Sequence, residues 1–107
     1  MPKYLISASY TADGLKGLQK DKASGRRQAV TAAIESLGGK MECFYNALGE
    51  DDAYVIVDLP DNVSAAALGV AVSASGLART RTTALLTVEE VDRAAVIAYL
   101  TKLGAGP

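Results

Sequence analysis

Apolar and polar positions change their period several times along the chain, and each change predicts an element. "KYLISASY", Lys3 to Tyr10, is rich in β-formers and predicts a first strand. It ends before Thr11-Ala12-Asp13-Gly14, where Thr11 or Asp13 is placed to cap a helix. From Leu15 the spacing is helical: Leu15 and Leu18, then Ala29, Val30, Ala33, Ile34 and Leu37. The second group follows the i, i+3, i+4 rhythm of a buried stripe. Between the groups "QKDKASGRRQ" is polar on every side, and Gly25 weakens helix. The pattern predicts either an exposed middle of one long helix or a break into two. Gly38-Gly39 supplies a left-handed stop.

Lys40 to Leu48 predicts a second strand and Ala53 to Leu59 a third, joined by the short Gly49-Glu50-Asp51-Asp52 link of a hairpin. Pro60-Asp61-Asn62 ends the third strand and caps a second helix. That helix carries Val63, Ala66, Ala67, Val70, Ala71 and Ala74 at helical spacing, with Gly76 near its end. Ala78 to Thr87 predicts a fourth strand. Thr87 and Glu90 form a capping box for a last helix from Val88 to Leu103, stopped by Gly104. The order β-α-β-β-α-β plus a C-terminal helix predicts an α+β, ferredoxin-like subunit. Right-handed crossovers place the first two helices on one face of a four-stranded antiparallel sheet. The whole chain, 1–107, is expected to form a single domain.

The other face of that sheet then needs a cover. With Leu48 set opposite Ala53, one face carries Phe44, Asn46, Leu48, Ala53, Val55, Val57 and Leu59 and suits the helices. The other carries Cys43, Tyr45, Ala47, Tyr54, Ile56 and Asp58, joined by Tyr4, Ile6, Ala8 and Tyr10 if strand one is set that way. A surface so apolar and aromatic marks an interface. The expected cover is a second copy of the chain, sheet face to sheet face, with Tyr45, Tyr54, Ile56 and Cys43 in the contact. Cover by the chain's own last helix is the alternative.

Composition narrows the chemistry. There is no histidine, which removes the commonest general base and metal ligand. The single cysteine, Cys43, makes no internal disulfide and fits a reducing cytoplasm. A net charge of −1 gives no general affinity for nucleic acid. No apolar run approaches a membrane span, and the N-terminus lacks a signal-peptide pattern, so a cytoplasmic protein is expected.

Several candidate sites remain. Glu50-Asp51-Asp52 suits a hard cation in residue type but lacks the spaced ligands calcium needs, and a solvated turn is expected, with no metal site. Tyr10, Tyr45 and Asp58 are candidates for acid–base work. Tyr54, Asn46, Arg79 and Arg81 are candidates to bind a ligand, the two arginines sharing one face of strand four. Lys16, Lys20, Lys22, Arg26 and Arg27 read as a solvated helix face. Cys43 has no activating neighbour in sequence and reads as structural. No glycine-rich nucleotide-binding pattern occurs, and no cofactor is expected.

The stretches "PKYLISASYT", "LGGK", "FYNALGEDDAYVIVDLPD" and "ARTRTTALLTVEE" together resemble the GYD domain family of small bacterial proteins, over about residues 2 to 92. The family is named for a Gly-Tyr-Asp signature in the central turn. Here the matching place reads Gly49-Glu50-Asp51-Asp52, with Asp51 where the tyrosine would stand. The resemblance implies a subunit of the dimeric α/β-barrel type and leaves the chemistry open. Three functions are therefore expected as alternatives. The first is a homo-oligomeric protein with a structural or small-ligand-binding role. The second is a cofactor-independent monooxygenase or isomerase. The third is a ligand-sensing regulatory domain.

Overall fold

A computed structural model describes residues 1–101 of the chain. Its elements run β1 Lys3–Tyr10, α1 Ala12–Ser36, β2 Lys40–Asn46, β3 Ala53–Asp58, α2 Asn62–Ala74, β4 Ala78–Leu85 and α3 Val88–Leu100. The strands form one antiparallel sheet in the order β2-β3-β1-β4. With α1 and α2 packed on one face, this is the expected ferredoxin-like α+β fold with an additional helix. The expected end of the last helix, Leu103 and Gly104, lies outside the described residues.

Local chemistry sets most of the boundaries. Thr11 caps α1 by accepting from the Gly14 N–H at 3.1 Å. Asp61 caps α2 by accepting from the Ser64 N–H at 2.9 Å. Thr87 and Glu90 exchange bonds of 3.1 and 2.9 Å in a complete capping box at α3. Gly38, at φ 78, ends α1 in the left-handed region that favours glycine. The polar middle of α1 does break, at Lys22 (φ 63, ψ 173) rather than at Gly25. Near its start α1 lies directly on the chain leading into β4. A Cβ on Gly14 would sit 1.9 Å from the Leu77 carbonyl oxygen, which also accepts from the Thr11 N–H at 3.0 Å. Only glycine permits that approach.

The core lies between sheet and helices. Tyr4 and Ile6 of β1, Val55 and Val57 of β3, Ile34 of α1 and Leu68 of α2 are all buried in it. Tyr4 reaches the start of α2, where its hydroxyl donates to Asn62 Oδ1 at 2.6 Å. The expected stripe on α2 needs correction. The helix buries Ala65 and Leu68 and half-buries Val72, while Val63, Ala66, Ala67, Val70, Ala71 and Ala74 are exposed. A helix apolar on every side shows no unique stripe, so the register of its neighbours decides which face goes in.

Pairing also corrects the faces of β1. Tyr4 opposes Val57, Ile6 opposes Val55 and Ala8 opposes Ala53, so Tyr4, Ile6, Ala8 and Tyr10 lie under the helices. Lys3, Leu5, Ser7 and Ser9 take the open face instead. The hairpin pairs Asn46 with Ala53, two residues from the expected register. An even shift preserves the faces, so Cys43, Tyr45, Tyr54, Ile56 and Asp58 remain on the open side. Leu48, expected in the core, is fully exposed in the loop. A bulge between Met41 and Cys43 turns Glu42 toward Lys3.

Beyond β4 the chain enters α3, none of whose residues is buried. It does not roof the open face of its own sheet. Among the described residues, no helix is long and apolar enough to cross a membrane.

Candidate functional site

Between the sheet and its helices lies a cavity of about 290 Å³. Its floor is the middle of the sheet: Ile6, Ala8 and Tyr10 of β1, flanked by Phe44 and Val55. Val30 and Ala33 of α1 and Leu68 and Val72 of α2 form the roof. The cavity exists because small residues stand where a filled core would carry large ones. Ala8, Ala53 and Ala78 below and Ala29, Ala33 and Gly69 above leave the layers unable to meet. Thr80 and Thr82 supply hydroxyls along one wall, and among the described residues no acidic side chain lines the space.

Tyr10 and Arg26 are the chemically distinctive pair in this lining. The Arg26 guanidinium carbon sits 5.8 Å from the centroid of the Tyr10 ring. Arg26 Nε is shut off from solvent and has no hydrogen-bond partner among the described residues. Burial pushes the Tyr10 hydroxyl above its ordinary pKa, against the opposing pull of Arg26. The Tyr10 N–H donates to Asp52 Oδ2 at 2.8 Å, which fixes the end of β1 over the hairpin loop.

The open face carries a different arrangement, with an apolar band between two polar clusters. At one end Lys3 Nζ donates to Glu42 Oε1 and to Asp58 Oδ1, both at 2.9 Å. At the other end Asp51 accepts from Ser9 Oγ and from the Tyr54 hydroxyl, each at 3.1 Å, and pairs with Arg81. Burial alone would raise the Asp51 carboxyl. Hydrogen bonds from Ser9, Tyr54 and Arg81 outweigh it and hold the group below the usual carboxylate range. The same bond to Asp51 is the first cause that raises Tyr54. Between the clusters lie Leu5, Ile56 and Cys43, half-buried, with Tyr45 and Tyr54 directly paired and exposed.

The GYD domain profile matches residues 4–95. The chain belongs to the GYD domain family. Comparison with curated proteins finds no match. In this GYD domain the signature turn is not the solvated link that its composition suggests. Asp51, with its side chain 7% exposed, is a buried hub that ties the loop to β1, β3 and β4. Asp52 anchors Tyr10, the Ala47 N–H donates to the Asp52 carbonyl at 2.8 Å, and the Asp52 N–H donates to the Ala8 carbonyl at 2.8 Å. Among the described residues, no three Cys, Asp or Glu side chains gather where one metal ion would bind.

The sequence-predicted candidates therefore divide between two sides of the sheet. Tyr10 lines the cavity. Tyr45, Tyr54, Asp58, Ile56 and Cys43 are on the open face, so the expected grouping of Tyr10 with Tyr45, Tyr54 and Asp58 does not form. Arg79 and Arg81 share one face as expected, and it is the open one; Arg81 pairs with Asp51. Asn46 lies on the helix side, away from the cavity, in a surface groove beside Arg27 and Thr31. Arg26, expected on a solvated basic face, lines the cavity instead. Its signal was its spacing: it stands four residues before Val30 and seven before Ala33, on the buried stripe itself.

Proposed function

We propose that this GYD domain is a homodimeric binding protein for a small molecule with an apolar body, held between the sheet and the helices. The carrying observation is the cavity of about 290 Å³, lined by small apolar side chains. Pockets that bind small molecules are concave, mostly apolar and furnished with few polar groups. Tyr10 alone of the acid–base candidates lines this one. A tyrosine with a raised pKa stays protonated at neutral pH and is a poor proton acceptor there. Binding therefore accounts for the geometry better than monooxygenase or isomerase chemistry. Titration calorimetry with 1-octanol tests the reading. Saturable binding at one site per chain supports it, and no heat of binding up to the solubility limit contradicts it.

Assembly rests on a separate observation. The 13-residue α3 exposes Val88, Val91, Val96, Ile97 and Leu100, and buries nothing. A helix this short is marginal in water unless its apolar side is covered. A second copy of the chain is the occupant that fits. Its open face offers the Leu5, Ile56 and Tyr45 band, and Arg79 stands exposed on the same face to meet the acidic first turn of α3, Glu89 and Glu90. Light scattering of the full chain gives a dimer on this account, and Tyr45→Lys weakens it. A wild-type monomer at micromolar concentration rules the assembly out and leaves the cavity reading standing.

A further inference from the structure

The cavity reading says that a small molecule binds; the charge lining the cavity says which kind. We infer that the ligand is an organic anion, a carboxylate on an apolar tail, with its head on the Arg26 guanidinium and its tail between Leu68 and the sheet. This rests on the cavity being a binding site.

Among the described residues, Arg26 carries an unpaired guanidinium. Arg26 Nε is out of contact with solvent and unpaired among the described residues. Nε is closed to any water-sized group, so a partner for the guanidinium has to meet its terminal nitrogens. Arg26 is also absent from the ion pairs of the described residues, which join Lys3 to Glu42 and Asp58 and Arg81 to Asp51. Its position is nonetheless fixed. It lies against the Tyr10 ring and close over α1, where one of its terminal nitrogens would be 3.0 Å from a Cβ on Gly17. A guanidinium held this way presents its two terminal nitrogens, which make no ion pair among the described residues, as parallel donors, the pattern that a carboxylate accepts.

The rest of the lining agrees in charge and in size. Among the described residues it contains no acid, and the carboxylate that acts on Tyr10 from outside the lining, Asp52, is held by the Tyr10 N–H. The Tyr10 hydroxyl stays protonated at neutral pH and can only strengthen an anion site. At the ~30 Å³ that a water-sized group occupies, about 290 Å³ holds about ten heavy atoms. An eight-carbon carboxylate is of that size. Beyond Arg26 and Tyr10 the walls are mostly alkyl and aromatic, which suits a tail without further polar groups.

The test compares three probes of matched length on the full chain by calorimetry: octanoate, 1-octanol and octylammonium. Octanoate is expected to bind at least about 10-fold more tightly than 1-octanol, and octylammonium more weakly than either. In Arg26→Gln, octanoate binding falls about 10- to 100-fold while 1-octanol binding stays within about 2-fold, which also shows that the variant is folded. Arg26→Lys recovers part of the octanoate affinity, because it restores the charge without the paired donors. Equal binding of octanoate and 1-octanol, or an Arg26→Gln variant that keeps its octanoate affinity, overturns the anion assignment and spares the cavity. Failure of all three probes to bind the wild-type chain overturns both.

Discussion

Ala8→Leu separates the roles of the cavity most cleanly. Ala8 sits in the middle of β1, opposite Ala53 on one side and Thr80 on the other, with its side chain on the cavity floor. Leucine there adds three carbons to a space that holds about ten heavy atoms. Burying each carbon contributes ~0.8 kcal/mol, and fixing a leucine rotamer costs ~0.5–1 kcal/mol. The free protein should therefore gain about 1.5 kcal/mol. The same three carbons take room from the ligand's tail, so octanoate should lose about 2 kcal/mol of binding, roughly 30-fold. Urea unfolding of the ligand-free protein reads the first effect and calorimetry the second. The two move in opposite directions only if the site is an unfilled void used by a ligand. A variant that is less stable than wild type and binds octanoate unchanged refutes the reasoning, because the floor would then be packed and the ligand elsewhere.

Three further perturbations test other parts of the structure. Lys22 holds a positive φ outside glycine's usual company, so Lys22→Gly should raise stability by about 1 kcal/mol in urea unfolding; a loss of stability would mean that the break in α1 is not strained. Gly14→Ala should cost at least about 1–3 kcal/mol, since its Cβ would collide with the Leu77 carbonyl, and a neutral effect would show that α1 does not lie against that carbonyl. Asp51→Asn should lower the melting temperature at neutral pH, because it removes the charge that Arg81 pairs with. The Asp51 carboxyl has a depressed folded pKa, so its stabilisation is complete above the unfolded value of about 4 and is lost as pH falls through the folded one. Melting curves of the two proteins should therefore converge in acid, and a gap independent of pH would place the effect of Asp51 in shape rather than charge.

Local signals carried most of the fold. β1 has the bounds that its β-forming residues suggest, and the caps at Thr11, Asp61 and Thr87 and the stop at Gly38 each depend on neighbours within a few residues. What was not legible depends on partners far along the chain. Asp51 looks like a turn residue until Ser9 and Arg81, 42 and 30 positions away, close on it. β1 holds apolar residues at both parities near its start, and only pairing with Val55 and Val57 sends Ile6 and Tyr4 inward. Ser7 and Ser9 were a usable clue, since alternation with Ala8 and Tyr10 already separates a polar face from an apolar one. The open face is consequently more polar than its sequence pattern promised. The cavity itself has no local signature, because a void is a property of small residues on five separate elements. Arg26 shows how a charged residue on a buried stripe can be mistaken for surface when its neighbours in sequence, Lys22 and Arg27, are both exposed.

The most direct test of the account follows methyl resonances of the full chain while octanoate is added. Ile6, Val30, Val55, Leu68 and Val72, which line the cavity, should shift together and saturate at one ligand per chain. Leu5 and Ile56, on the far side of the same sheet, should stay in place. Shifts confined to Leu5 and Ile56, or no shifts at all, would contradict the claim that this domain holds its ligand between sheet and helices.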